Sequence, residues 1–274
     1  MSRSSQPIVV FGAGRSGTTW LAEILAGAGL ELIFEPLNER EVPEAAELRR
    51  TVRFLDAADA TARWDSLFER ILGGEIRNPW TLRAGTGGER VLVKLIRANL
   101  FMEWMLHRFD FLPVFIVRNP MAVVDSLRTE GWDIPQSWVR WMASDERLAE
   151  RYLPPLDDLL GRPLEQVEIY ALYWCIQNVV PYRQGVLSRI PVVRFEELAR
   201  DPEAVVARLV VPLAIEITPE VLRACHRWSL MKGRRADAPA YDPTTAWNSS
   251  LSPDDVCKVE RIVGRFGLEE LLRR

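Results

Sequence analysis

Short apolar runs recur along the chain, separated by longer stretches whose apolar positions fall at helical spacing. The runs are Ile8 to Phe11, Leu30 to Phe34, Val91 to Ile96, Val114 to Val117 and Val192 to Phe195. They are four to six residues long and rich in β-branched side chains, the pattern of strands covered on both faces. From Thr18, the residues Trp20, Leu21, Ile24 and Leu25 share one helical face until Gly27 and Gly29 stop the helix. Further helices are predicted over Leu100 to Phe109, Pro120 to about Arg128, Glu168 to Leu187, Pro202 to Leu209 and Pro219 to Arg227. Ser252-Pro253-Asp254-Asp255 opens a last helix with an N-cap and an acidic first turn. Strands alternating with helices predict an α/β fold: a central parallel sheet of about five strands with helices on both faces.

Two stretches depart from that rhythm. Residues 38–90 are charged and mostly helix-like, broken at Gly73-Gly74, Asn78-Pro79 and Gly85 to Gly88. Residues 131–165 hold Trp132, Trp138, Trp141 and the Leu153-Pro154-Pro155 break, and read as an irregular insert. The chain is therefore expected to be one domain, 1–274, with inserts at about 38–90 and 131–165 that shape a binding site or its lid. In open parallel sheets ligands sit beyond the carboxyl ends of the strands. The residues that follow the five runs are the glycine-rich Gly12 to Gly17, then Glu35, Arg97, Arg118 and Glu196, so all belong to one edge of the sheet.

Composition narrows the partners. The chain has 274 residues, 48% of them hydrophobic and 27% charged, with a net charge of −3. That balance suits a globular protein and offers no reason to expect nucleic acid or an anionic membrane as partner. No run approaches the ~20 apolar residues of a membrane span, and Met1 to Gln6 is polar and brief, so a cytoplasmic protein is expected. Cys175, Cys225 and Cys257 show no metal-ligand spacing and are expected to be buried, reduced thiols. No metal cluster is predicted.

The candidate chemistry starts at Val9-Val10-Phe11-Gly12-Ala13-Gly14-Arg15-Ser16-Gly17-Thr18-Thr19-Trp20. A strand, a glycine-rich turn and a helix start aim backbone N–H groups and a helix N-terminus at one point, which is an anion site. Arg15, Ser16, Thr18 and Thr19 add a charge and hydroxyl donors. Gly12, Gly17 and Thr19 have the spacing of a nucleotide P-loop, but Thr18 stands where that motif places its lysine. The second cluster is Arg118-Asn119-Pro120, a strand-end guanidinium before a helix, with Ser126 eight positions after the arginine.

Both clusters resemble signatures of the sulfotransferases that use 3′-phosphoadenosine 5′-phosphosulfate (PAPS). Gly14-Arg15-Ser16-Gly17-Thr18-Thr19-Trp20 resembles the loop that holds the 5′-phosphosulfate, and Arg118 with Ser126 resembles the 3′-phosphate motif. The resemblance implies a P-loop-like three-layer αβα fold, PAPS as sulfuryl donor, no required metal, and cofactor contacts from Arg15, Ser16, Gly17, Thr18, Thr19, Trp20, Arg118 and Ser126. Trp20 would stack on adenine, or else serve as a core residue. Val193 to Pro202 is similar to the family's Tyr-Glu-Asp-Leu segment; its Asp201 reads as a helix cap and Glu196 or Glu197 as an ion-pair member. Lys232-Gly233 matches the family's Arg-Lys-Gly segment only in part, because Met231 replaces the arginine.

The acceptor hydroxyl needs a base. Cytosolic members use a histidine after the third strand, and Val93-Lys94-Leu95-Ile96-Arg97 has none. Carbohydrate and tyrosyl-protein members use a glutamate after the second strand, which is where Glu35 stands. Glu35 is thus the expected base, with Glu39 in reserve and His107 and His226 as distant alternatives; Lys94 could assist the leaving group. The expected reaction is sulfuryl transfer to a hydroxyl of a small-molecule or carbohydrate acceptor. A P-loop kinase or NTPase lacking its lysine, and a non-catalytic nucleotide-binding protein, remain as other readings.

Overall fold

Ile8 to Phe11 are fully buried, and burying side chains of this size contributes about 1.5–3 kcal/mol each. That run is the middle of the sheet in the computed structural model of the chain, which describes residues 3–59, 62–84, 88–227 and 242–271. β1 (Ile8–Gly12) lies between β3 (Arg90–Leu95) and β4 (Leu112–Val117). β2 (Leu30–Phe34) flanks β3 and β5 (Val192–Arg194) flanks β4, giving five strands in the order β2-β3-β1-β4-β5. Every neighbouring pair is parallel, with Val10 level with Lys94 and Val114, and Phe34 level with Lys94.

Because strand side chains alternate faces, the sheet separates two cores. Val9, Phe11, Val93, Leu95, Phe115 and Val117 face one of them, closed by the helices Ala62–Leu72, Pro120–Thr129, Gln166–Arg183 and Pro253–Phe266. Ile8, Val10, Leu92, Val114 and Ile116 face the other, closed by Thr18–Ala26, Pro202–Leu213 and Pro219–Cys225. This is the expected α/β architecture. The Gln166–Arg183 helix is buried from Val167 to Pro181, which matches a segment apolar all round. Glu165 and Glu168 form a capping box at its start.

Residues 131–165 are not irregular as expected. They fold into the helices Gln136–Ala143, Glu146–Tyr152 and Asp157–Leu160. The first buries Val139 and Met142, three apart on one face, and Asp145 caps the second by accepting from the Leu148 N–H at 3.0 Å. The broken residues 38–90 hold the helices Pro43–Thr51, Ala62–Leu72 and Pro79–Ala84. Leu100 to Phe109 begins as a tight 3₁₀ turn at Asn99–Phe101 before Met102–Arg108 becomes α-helical. Cys175 and Cys225 are buried thiols, but Cys257 is exposed, on the outer side of the last helix. No helix among the described residues is long and apolar enough to cross a membrane.

Candidate active site at the carboxyl edge of the sheet

The loop after β1 curls into a cradle. Ser16 N–H donates to the Ala13 carbonyl at 3.2 Å, and Arg15 takes the left-handed conformation at φ 68°. Gly17 has φ 91°, and a Cβ there would meet the Phe195 ring at 2.4 Å, so only glycine fits. Gly17 also starts the Thr18–Ala26 helix without any capping side chain. The N–H groups of Thr18 and Thr19 are thus turned to a ligand, at the positive end of the helix dipole. Ser16 is buried, and its Oγ has no partner among the described residues. A buried hydroxyl without a partner calls for an explanation, and an oxyanion seated in the cradle supplies one. Thr18 is buried beside it and Thr19 is half-buried.

The second cluster comes to the same place. Arg15 Nε donates to Ser126 Oγ at 2.9 Å, and Arg118 Nη1 donates to the Arg15 carbonyl at 2.9 Å. The Arg118 guanidinium lies 4.3 Å from the Phe195 ring centre, and its backbone carbonyl accepts from Trp174 Nε1 at 3.0 Å. Asn119 caps the Pro120–Thr129 helix by accepting from Met121 N–H at 2.8 Å, while its own N–H donates to Glu196. That helix start, with proline at its first position, sets Ser126 two turns along the face toward Arg15.

Glu35 stands at the end of β2, on the edge adjoining the loop. It is 2% exposed and lies between two cations, Lys94 on Oε1 and Arg97 Nη1 on Oε2 at 2.8 Å. Lys94 does not reach outward to water: it is 3% exposed, with its ammonium 4.2 Å from the centre of the Phe34 ring. Burial pushes the Lys94 pKa below its ordinary value, opposed by the Glu35 charge. Glu35 has φ 50°, a costly angle for a residue with a side chain. Buried Asn78 holds it there, donating from Nδ2 to the carbonyls of Phe34 at 2.7 Å and Glu35 at 3.0 Å. Its Oδ1 accepts from the N–H groups of Trp80 and Thr81, both at 3.0 Å, so the amide has no idle polar atom.

The remaining sequence candidates lie elsewhere or serve packing. Glu39 is paired with Arg49 and, at 4.0 Å, with Arg97. His107 is exposed against Glu103, and His226 is exposed against Glu203. Trp20 is a core residue, its ring edge-on to Phe195 and its Nε1 donating to Arg227 at 3.0 Å. Asp201 caps the Pro202–Leu213 helix and Glu197 pairs with Arg208, as expected. Lys232-Gly233 lies outside the described residues.

Sequence reasoning missed the residues that brace the cradle. Pro181 has no N–H, so the carbonyl of Gln177, four residues back, is released from the helix ladder. That carbonyl accepts from Asn99 Nδ2 at 3.2 Å, and Asn99 Oδ1 accepts from the Gly12 N–H at 3.2 Å. One turn earlier, the Tyr173 hydroxyl accepts from the Gly14 N–H at 3.1 Å. Asn78 was legible only as part of the Asn78-Pro79 break. The proline inside an apolar helix was the available clue to Asn99.

No protein-family model and no curated protein sequence matches this chain. Solved structures do. The sulfotransferase domain from the curacin biosynthetic pathway is 16% identical, with TM-score 0.52, over 96% of this chain and 97% of its own. The mouse sulfotransferase SULT7A1, solved in complex with PAP, is 11% identical, with TM-score 0.51, over 98% of this chain and 87% of its own. The likeness establishes a shared fold.

Proposed function

We propose, on the premise of a sulfotransferase fold, that this chain transfers a sulfuryl group from PAPS to a hydroxyl of a small-molecule or carbohydrate acceptor. The observation that carries the reading is the bond from Arg15 to Ser126, with Arg118 on the Arg15 carbonyl. Two motifs 103 residues apart meet at one cradle. That geometry suits a ligand bearing two phosphates at opposite ends of one nucleoside. Loop N–H groups, Arg15, Ser16, Thr18 and Thr19 hold the 5′ end; Arg118 and Ser126 hold the 3′-phosphate through planar and hydroxyl donors. The mouse neighbour's bound PAP is consistent with this.

In the reaction, Glu35 takes the proton from the acceptor hydroxyl. The acceptor oxygen bonds to sulfur as the bond from sulfur to the phosphate oxygen breaks, and the negative charge passes to the departing phosphate. Donors fixed in advance around that phosphate stabilise the charge where it develops. Arg15 and the helix N-terminus do this in the cradle, and Lys94 adds positive charge from the β3 side. Arg97 and Lys94 hold the Glu35 carboxylate in position. The segments 38–90 and 131–165 form the acceptor side: the first brings Glu39 and Arg49 to Arg97, and the second brings Trp132 against Gly14. The chain acts as a single domain in this reading.

The test is ligand-induced stabilisation. PAP without Mg²⁺ should raise the melting temperature, worth about 2.7 kcal/mol at a hundredfold excess over Kd, and ATP with Mg²⁺ should do little. Arg118→Ala should weaken PAP roughly 10- to 100-fold by calorimetry, as loss of a charged hydrogen-bond partner does. Stabilisation by ATP–Mg²⁺ and not by PAP would favour the kinase or NTPase reading instead.

A further inference from the structure

We infer that the Tyr173 hydroxyl is a further contact of the donor, touching the sulfuryl group rather than the nucleotide. The inference rests on the function proposed above. Tyr173 comes from the centre of the buried Gln166–Arg183 helix and is 9% exposed. Its oxygen accepts from the Gly14 N–H at 3.1 Å, at the rim of the cradle and one residue before Arg15. A neutral phenol that accepts one hydrogen bond still has its own proton to place. No acceptor for that proton exists among the described residues.

The surroundings define what the proton faces. A Cβ at Gly14 would lie 2.9 Å from both the Tyr173 hydroxyl and the Trp132 ring, so the hydroxyl is pressed against the loop backbone. On its other side the Tyr173 ring packs against Trp138, with ring centres 5.4 Å apart. The charges that act on the hydroxyl are Arg97, Arg49 and Glu35. Those residues belong to the base and its partners, not to the Arg118–Ser126 end. Burial, the leading cause, raises the Tyr173 pKa, with Glu35 adding to it and the Gly14 bond and the two arginines opposing. The phenol therefore remains a neutral donor through physiological pH.

The hydroxyl stands against the glycine loop at Gly14, and the Glu35 charge acts on it. In the proposed reaction the group that passes from the loop toward the base is the sulfuryl, whose oxygens are acceptors only. Tyr173 thus takes over the Gly14 N–H, which would otherwise face the anion, and presents an O–H in its place. This extends the reach of the cradle from the 5′-phosphate toward the sulfur.

The experiment compares two ligands on one variant. Tyr173→Phe keeps the ring against Trp138 and removes only the hydroxyl. Calorimetry without acceptor should show PAPS weakened about tenfold and PAP changed less than about twofold, because only PAPS carries the sulfuryl group. Equal weakening of both would make Tyr173 a brace for the loop and overturn the inference; so would no change in either. Wild-type protein that binds neither nucleotide would sink the proposed function itself, a distinguishable result. If Tyr173→Phe does not fold, wild-type chain made with 3-fluorotyrosine, a stronger hydrogen-bond donor, supplies the comparison. Its preference for PAPS over PAP should rise, and an unchanged ratio overturns the inference.

Discussion

At the scale of single residues, the site turns on a carboxylate between two cations. Glu35 and Lys94 are both removed from water, and each is tolerated there because of the other. Glu35→Gln separates the chemistry from the binding. Turnover with PAPS should fall roughly 10²- to 10⁴-fold, the usual contribution of a positioned base, while PAP affinity stays within a few-fold. The same change leaves Lys94 buried opposite a neutral amide. Stability should drop by about 3 kcal/mol or more, measured by urea unfolding. An enzyme that keeps its full rate with glutamine at 35 would dismiss Glu35 as the base. The strand pattern placed this glutamate at the sheet edge; that it is enclosed by Lys94 and Arg97 could not be read locally, because β2 and β3 pair residues as far apart as Leu30 and Arg90.

At the scale of elements, short polar links between distant segments set the geometry. Asn78 ends β2 and begins the Pro79–Ala84 helix at the same time, through four hydrogen bonds. Asn78→Ala would leave two carbonyls and two N–H groups without it and relax the left-handed turn at Glu35. We expect a loss of about 2–3 kcal/mol of stability, as for a buried polar network and a helix cap broken together. PAP affinity should be nearly unchanged and turnover reduced, since the displaced part is the proposed base. Equal loss of PAP affinity and turnover would contradict this division. The Asn78-Pro79 pair was legible as a break in the helical pattern. Its second duty was not, because Phe34 lies 44 positions away.

At the scale of the whole molecule, the Gln166–Arg183 helix ties the glycine loop to the rest. Its start depends on Glu168, which is 1% exposed and accepts from Arg162 at 2.9 Å and from the Glu165 N–H at 3.0 Å. The Arg162 bonds hold the Glu168 carboxyl below its ordinary 4.5, against the opposing effect of burial. A depressed carboxyl stabilises the fold fully above its unfolded value and loses that contribution as pH falls through the folded one. Urea midpoints should therefore decline as pH drops below 4.5. Glu168→Gln should lower the midpoint at pH 7 and make the acid decline shallower. An acid decline as steep as that of the wild type would show that other carboxyls govern it.

The five strands along the chain, the two clusters of cationic and hydroxyl residues and the glutamate that follows β2 were all determined by local pattern. Hydrophobic period and glycine or proline chemistry act over a few residues, so they can be read from a short window. Tertiary structure alone decided that Arg15 meets Ser126, that Lys94 turns inward to Glu35, and that a proline in a buried helix frees a carbonyl for Asn99 and so for Gly12. Each of these pairs polar groups far apart in sequence. Their partners are chosen by strand order and helix packing, which no local period encodes.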